Sequence, residues 1–294
     1  MSLITGKQIS KIYIGNKNIY SGGIEVNYFV DGSVAFTQEI DSGADILDPA
    51  TIYIPEKSGW TFVGWREDTT ASGDILTEKI MGNSPVSLYA VFAQDVTLTS
   101  VANGTTSNTT MQKYYNNGFT TNPTFTISNP TISGATFKGW STSSGSTTVS
   151  YSAISGKEFA SNTTIYAVRE VAKSASKSGS CEGIWNGQNR SSFTLTGSWP
   201  NNATCTKTAS AHTDGSWHPD AGGYVEFHDS LSGYFYLNPP PGGSTVSKTV
   251  TFSTGTAKSI TCTIIADGTD NEEYNYKSTG YCTLTVNWTE LLVG

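Results

Sequence analysis

One seven-residue stretch occurs twice. The chain reads Gly59-Trp60-Thr61-Phe62-Val63-Gly64-Trp65, and 75 residues later Gly134-Ala135-Thr136-Phe137-Lys138-Gly139-Trp140. Each copy is followed by the same exit, first Leu88-Tyr89-Ala90-Val91-Phe92 and then Ile165-Tyr166-Ala167-Val168-Arg169. Self-similarity at a fixed period fixes the architecture before any local propensity does, because each copy must fold as the same small unit. Trp60 and Phe62 share a face at the two-residue period of a strand, and a glycine such as Gly64 lets another backbone approach closely. The expectation is two tandem β modules with other material on either side.

The rest of the chain supports an all-β reading. It has 30 glycines, 12% aromatic and only 14% charged residues, and short apolar runs separated by Ser, Thr, Asn and Gly. Residues 1–24 read as a hairpin with a Gly15-Asn16 turn between Lys7–Ile14 and Asn18–Tyr20. An isolated hairpin is marginal in water. Ile9, Ile12, Tyr13, Ile14, Ile19 and Tyr20 are therefore expected to pack elsewhere, on their own chain or on a docking partner. The Ser21-Gly22-Gly23 joint favours the partner. Residues 25–94 and 95–170 are the two repeats. The first opens on a Glu25–Val30 strand and an Asp31-Gly32 turn, and a short helix is expected over Asp74–Met81. The second opens on Val96–Thr99 and a long polar loop through Asn103, Asn108 and Thr110. Residues 171–180 read as a linker by composition. Residues 181–294 hold seven strand-like runs between turn clusters, which points to an immunoglobulin-like sandwich, with a jelly roll as the second choice.

Two resemblances go with these residues. The strand, the Gly-x-x-Phe-x-Gly-Trp element and the terminal (Leu/Ile)-Tyr-Ala-Val resemble the Listeria–Bacteroides repeat, the B-repeat of internalin-type surface proteins. Gly64-Trp65 with Tyr89-Ala90, and Gly139-Trp140 with Tyr166-Ala167, carry the pattern. That family implies a β-grasp-like fold, a spacer role in surface proteins and no known active site. Recurrence of one local pattern favours Trp65 and Trp140 as core anchors rather than a sugar-stacking platform, and Trp60, Phe62, Tyr89, Phe137 and Tyr166 are expected in the same repeat cores. The second resemblance is shorter. Ile9–Tyr20 is similar to the runs that open some bacteriophage fibre, tail-tip and head-decoration proteins.

Charge and motif content narrow the chemistry. A net charge of −7 with no basic cluster repels a phosphate backbone, so no nucleic-acid partner is expected. No apolar run approaches the roughly 20 residues that span a bilayer, so no membrane partner is expected. Met1–Gly6 does not read as a signal peptide. There is no Gly-x-Ser-x-Gly elbow, P-loop or Gly-x-Gly-x-x-Gly, and no cofactor is expected. His212, His218 and His228 cluster with Asp214, Asp220 and Asp229, donors that suit zinc, yet their spacing matches no ligand pattern and solvated loops are the expected reading. The acidic 267–273 run reads as a solvated turn rather than a calcium loop. Cys262 and Cys282 are candidates for a disulfide across a hairpin, among four cysteines with no CxxC pair. Trp199 reads as core.

Together these features lead to a non-enzymatic virion protein, a head fibre, decoration protein or tail-tip fibre. Its N-terminus would dock on capsid or tail proteins. Its β domains would present weak, multivalent adhesion to host-surface glycans or proteins. A homotrimer is expected from the class. A secreted bacterial adhesin and a carbohydrate-binding or carbohydrate-processing protein are the alternatives.

Overall fold

A computed structural model describes residues 11–14, 17–49, 51–184, 187–216, 223–240, 243–270 and 275–294. Every regular element among them is a strand. The chain divides into two compact units, Met1–Ile132 with Phe137–Val168 and Val293–Gly294, and Ser133–Thr136 with Arg169–Leu292.

In the first unit, β1 (Lys11–Ile14) and β2 (Lys17–Ser21) pair antiparallel as a separate two-stranded sheet. Of the expected docking residues, Ile9 lies outside the described residues, and Ile12, Tyr13, Ile14, Ile19 and Tyr20 are described as strand backbone only.

The first repeat is built on β3 (Ile24–Val30), β4 (Ser33–Ile40), β5 (Thr61–Arg66) and the start of β6 (Val86–Ala102). β3 and β4 form a hairpin around Asp31 and Gly32, which both take positive φ, 52° and 81°. A two-residue turn of this hand matches the strand twist, and Asp-Gly suits it. β6 pairs parallel with β3 and antiparallel with β5. The second repeat repeats this plan. Its hairpin joins the far end of β6 to β7 (Thr105–Asn116) through Asn103 and Gly104, again both at positive φ. β8 (Phe119–Thr121) extends the sheet, and β9 (Thr124–Ile127) pairs with β11 (Ile154–Glu158). β10 (Ala135–Ser141) and the start of β12 (Thr163–Glu182) close it, with β12 parallel to β6 at Leu98–Val101.

Three expectations need correction. The polar stretch through Asn103, Asn108 and Thr110 is a hairpin, not a loop, because Thr-rich polar residues suit an exposed strand and Asn103-Gly104 supplies the turn. Asp74–Met81 is not helical: its backbone is tied to the 43–46 segment, with Ile46 N donating to Lys79 O and Met81 N to Ala44 O. This segment of the first repeat is thus irregular chain rather than helix. Finally, residues 171–180 are part of β12 and not a linker. Small polar residues carry no strand preference of their own, but here their hydroxyls pair across strands: Ser178 with Thr283, and Ser176 with Thr285.

The second unit contains β13 (Gly187–Thr196), β14 (Thr204–Ser216), β15 (Val225–Asp229), β16 (Gly233–Leu237), β17 (Val246–Ser253), β18 (Ser259–Asp270) and β19 (Asn275–Val293), together with the second half of β12. One layer runs β16-β15-β18-β13. The other runs β17-β14-β19-β12. Among the described residues, β18 and β19 meet over Gly268–Asp270 and Asn275–Lys277. Alternate residues point inward, so Cys262 and Ile264 of one layer face Cys282, Leu284 and Val286 of the other in a single apolar core. Trp199 is fully buried there and its indole N–H donates to Ala257 O at 2.7 Å.

Candidate functional site

The two repeat tryptophans are core residues. Trp65 and Trp140 are both 2% exposed. Trp65 lies among Tyr28, at 4.9 Å edge-on, and Phe62, at 5.3 Å. Trp140 takes Phe137 in the same way, also at 5.3 Å. Trp60, Phe62 and Phe137 are half-buried and flank these cores. Tyr89 and Tyr166 are not core residues. They are half-buried, because strand alternation sends Leu88 and Ala90, and Ile165 and Ala167, to the buried face instead. Tyr89 stacks on Phe29 at 4.9 Å.

The second repeat also completes the first. Tyr115 of β7 packs 5.6 Å from Trp60, and Lys57 lies 4.1 Å over its ring. Asn116 is fully buried and donates to the carbonyls of Asp68 and Thr70, both at 3.0 Å. A hydrogen bond from Tyr115, then the Lys57 ammonium at 2.9 Å, hold the Asp31 carboxyl below its ordinary range. An open cleft of about 410 Å³ lies beside Trp140, lined by hydroxyls such as those of Ser107, Thr109 and Thr131 together with the apolar Ile127, Pro130 and Ile132.

The histidines do not converge. His212 lies on β14, stacks on Tyr281 at 6.0 Å and contacts Asp214 at 3.3 Å. His228 lies on β15 in the other layer, and both face outward by alternation, so they sit on opposite faces of the sandwich. His218 lies outside the described residues. Among the described residues no three His, Cys, Asp or Glu side chains gather in a metal-holding group. Asp267 is used internally: it accepts from Tyr224 N at 2.9 Å and from Ser278 Oγ at 3.2 Å.

Cys262 and Cys282 do meet, with their sulfurs 3.4 Å apart as free thiols. They are not hairpin partners, since Cys262 registers with Phe193 and Asp229 while Cys282 registers with Ala209. They meet across the two layers. The hydrogen bond to Cys262, and then burial, push the Cys282 thiol far up. Burial, aided by the Asp229 carboxylate, pushes the Cys205 thiol up to about 11. Cys282 and Cys205 are thus held as unreactive thiols, since the thiolate is the reactive form, whereas the bond with Cys282 moves the Cys262 thiol down.

Two arrangements escape a linear reading. The first is the outer face of β16-β15-β18-β13. Register places Tyr236, Glu226, Ile265 and Arg190 in one row, and Tyr234, His228, Thr263 and Ser192 in the next. Tyr234 and Tyr236 are 66% and 57% exposed. Tyr234 stacks on the His228 ring at 5.2 Å, and His228 Nε2 donates to Glu226 Oε2 at 2.7 Å. Tyr224 OH donates to the other oxygen of the same carboxylate. The His228 bond, then the Tyr224 bond, keep Glu226 below the usual carboxylate range, and burial next to Glu226 pushes Tyr224 up to about 12. The four strands span three spacings of about 4.8 Å, or roughly 14 Å of flat surface. Tyr234 and Tyr236 at period two were the available signal.

The second is an ion pair in the core. Lys207 of β14 and Asp229 of β15 are 1% and 0% exposed and hydrogen-bonded to each other. Burial works to raise the Asp229 carboxyl, but hydrogen bonds from Lys207 and Ser232 outweigh it and hold it down. The Cys205-Lys207-Ala209-Ala211 alternation puts a lysine at an inward position, which was its signal.

Comparison with known proteins bears on residues 25–168. Residues 25–91 and 97–168 each match the family model of the Listeria-Bacteroides repeat domain. These two stretches are tandem Listeria-Bacteroides repeats. The repeat boundary falls inside β6, so the strand that closes one Listeria-Bacteroides repeat opens the next. No curated protein matches the chain. Among solved structures, the parasporin-2 toxin of Bacillus thuringiensis aligns at 11% identity over 44% of this chain and 75% of that one, with a TM-score of 0.13. That score is too low to relate the folds.

Proposed function

We propose that the protein is a non-enzymatic structural and adhesive component of a bacteriophage particle. Residues 1–24 dock it on capsid or tail proteins, the Listeria-Bacteroides repeats act as a spacer, and the second unit binds a host-surface glycan. The observation that carries the adhesive part is the outer face of Tyr234, Tyr236, His228, Glu226 and Arg190. Exposed tyrosine rings suit the C–H faces of sugars, since each offers a rigid apolar body with a polar tip. A carboxylate with fixed lone pairs and a guanidinium beside it supply acceptors and donors for hydroxyls. Affinity at one such face is weak, and a homotrimer, or many copies on one particle, multiplies it.

The test is co-sedimentation with an insoluble Gram-positive cell-wall preparation. Wild-type protein is expected in the pellet, and a Tyr234→Ala/Tyr236→Ala variant in the supernatant. A wild type that stays in solution, or a double variant that pellets equally, overturns the adhesive reading. Docking is tested separately: a chain lacking residues 1–24 is expected to be missing from purified particles. The bacterial-adhesin alternative shares the same face and differs in gene neighbourhood, with a cell-wall sorting system in place of capsid or tail genes.

A further inference from the structure

We infer that Lys207 and Asp229 condense into an intramolecular amide that ties the two layers of the second unit together. The arrangement has the parts that acyl transfer needs. The nucleophile is Lys207 Nζ, in hydrogen-bond contact with Asp229 Oδ2 and closed off from water. The other carboxyl oxygen, Oδ1, accepts the backbone N–H groups of Leu231 at 2.8 Å and Ser232 at 2.5 Å. These two donors face the oxygen on which negative charge develops when an amine adds to the carboxyl carbon, which is where fixed N–H dipoles stabilise most. The Ser232 hydroxyl donates to Oδ2, the oxygen that leaves. The Phe235 ring lies 4.6 Å from Nζ and helps to keep the surroundings apolar.

The reactive protonation state is reached within the pair. Asp229 rests as the carboxylate under the bonds from Lys207, Ser232 and Leu231, and burial has stripped most of the hydration from the pair. One proton passing from Lys207 to Asp229 along their own hydrogen bond leaves a neutral amine and a neutral acid. No third acid or base is needed for that exchange. The Nζ lone pair then adds to Cγ, forming the C–N bond and placing charge on Oδ1. The ammonium proton of the adduct moves by way of Ser232 Oγ to Oδ2, the Cγ–Oδ2 bond breaks, and one water departs. The amine loses two protons in all and the acid loses its hydroxyl oxygen, so the atoms balance as amide plus water without an oxidant. Holding the two groups together replaces a bimolecular encounter, which removes much of the entropic part of the barrier to such a step. The product also removes a costly buried ion pair.

Intact mass spectrometry of the full-length chain, denatured under reducing conditions, reads the result directly. The wild type is expected to be lighter than its sequence by one water, and the Lys207→Met variant to have its full sequence mass. Tryptic mapping is expected to show no cleavage after Lys207 and a branched peptide joining the Lys207 and Asp229 segments. Asp229→Asn is expected to reach the same mass as the cross-linked wild type, by loss of ammonia. A wild-type chain at full mass overturns the inference, as does a water deficit that persists in Lys207→Met or maps to a succinimide elsewhere. The decisive reading is made on wild-type protein, so a variant that fails to fold does not blunt the test.

Discussion

Trp65 and Trp140 occupy the same place in the two repeats, and the indole N–H of each is buried without an acceptor. Both rings are held by shape and aromatic contact rather than by a hydrogen bond. Trp65→Phe and Trp140→Phe are therefore expected to be mild, while Trp65→Ala and Trp140→Ala each cost about 3–5 kcal/mol through the cavity they open. Urea unfolding of the four variants measures the difference. A phenylalanine variant as unstable as the alanine one would show that the indole N–H has a partner after all.

The glycines before these tryptophans predict an asymmetry between the repeats. Gly64 and Gly139 both adopt φ near +150°, at 153° and 146°. The nearest atoms to a Cβ on Gly64 all belong to the Ile75 side chain, Cδ1 at 2.6 Å and Cβ at 2.9 Å, whereas a Cβ on Gly139 meets Val149 at 2.5 Å and the backbone oxygen of Tyr151 at 2.7 Å. Both alanine variants carry backbone strain, each roughly 1–3 kcal/mol. Gly139→Ala is expected to be the worse, because backbone yields less than a side-chain end. Comparing their thermal midpoints checks the order.

Asn116 predicts how far the second repeat supports the first. It donates to two carbonyls of the 68–70 segment from a fully buried position. Asn116→Ala strands those acceptors and is expected to cost about 1–3 kcal/mol. Asn116→Asp, which has no N–H₂ to donate and adds a buried charge, is expected to cost more. Chemical denaturation followed by the fluorescence of the nearby aromatic cluster reports both.

Asp31 predicts a weak acid sensitivity. Its folded pKa is depressed by the bond from Tyr115 and by Lys57. A depressed carboxylate contributes stability that is present above its unfolded pKa of about 3.9 and is lost as pH falls through the folded value. Asp31→Asn should thus lower the thermal midpoint at neutral pH, and the gap to wild type should close in acid. The side chain is half in water, so the effect is small. A gap that widens toward acid would contradict the assignment.

Much of this architecture was legible without coordinates. The doubled Gly-Trp and Tyr-Ala elements marked the repeats because each copy must make the same tight approach at Gly64 or Gly139. The seven strand runs of residues 181–294 were visible because alternation is a local property of the chain. What failed was also local: composition alone made a linker of 171–180 and a loop of 103–110. Ser and Asn have no strand preference, and even Thr needs a neighbouring strand to offer its edge. Pairing with β6 and β19 decided both.

The candidate sites divide along the same line. The amino-acid sequence by itself determined which residues alternate and therefore which face of its own strand each side chain occupies. It placed Tyr234 beside Tyr236 and Lys207 among inward residues. Only the tertiary structure decided which strands became neighbours. It set Glu226 and Arg190 in the row of Tyr236, sent His212 and His228 to opposite faces, and brought Cys262 to Cys282 and Lys207 to Asp229 from opposite layers. Those contacts join residues about 20 positions apart. They exist because two sheets bury a common apolar face, a choice made by the whole core and not by any stretch of chain.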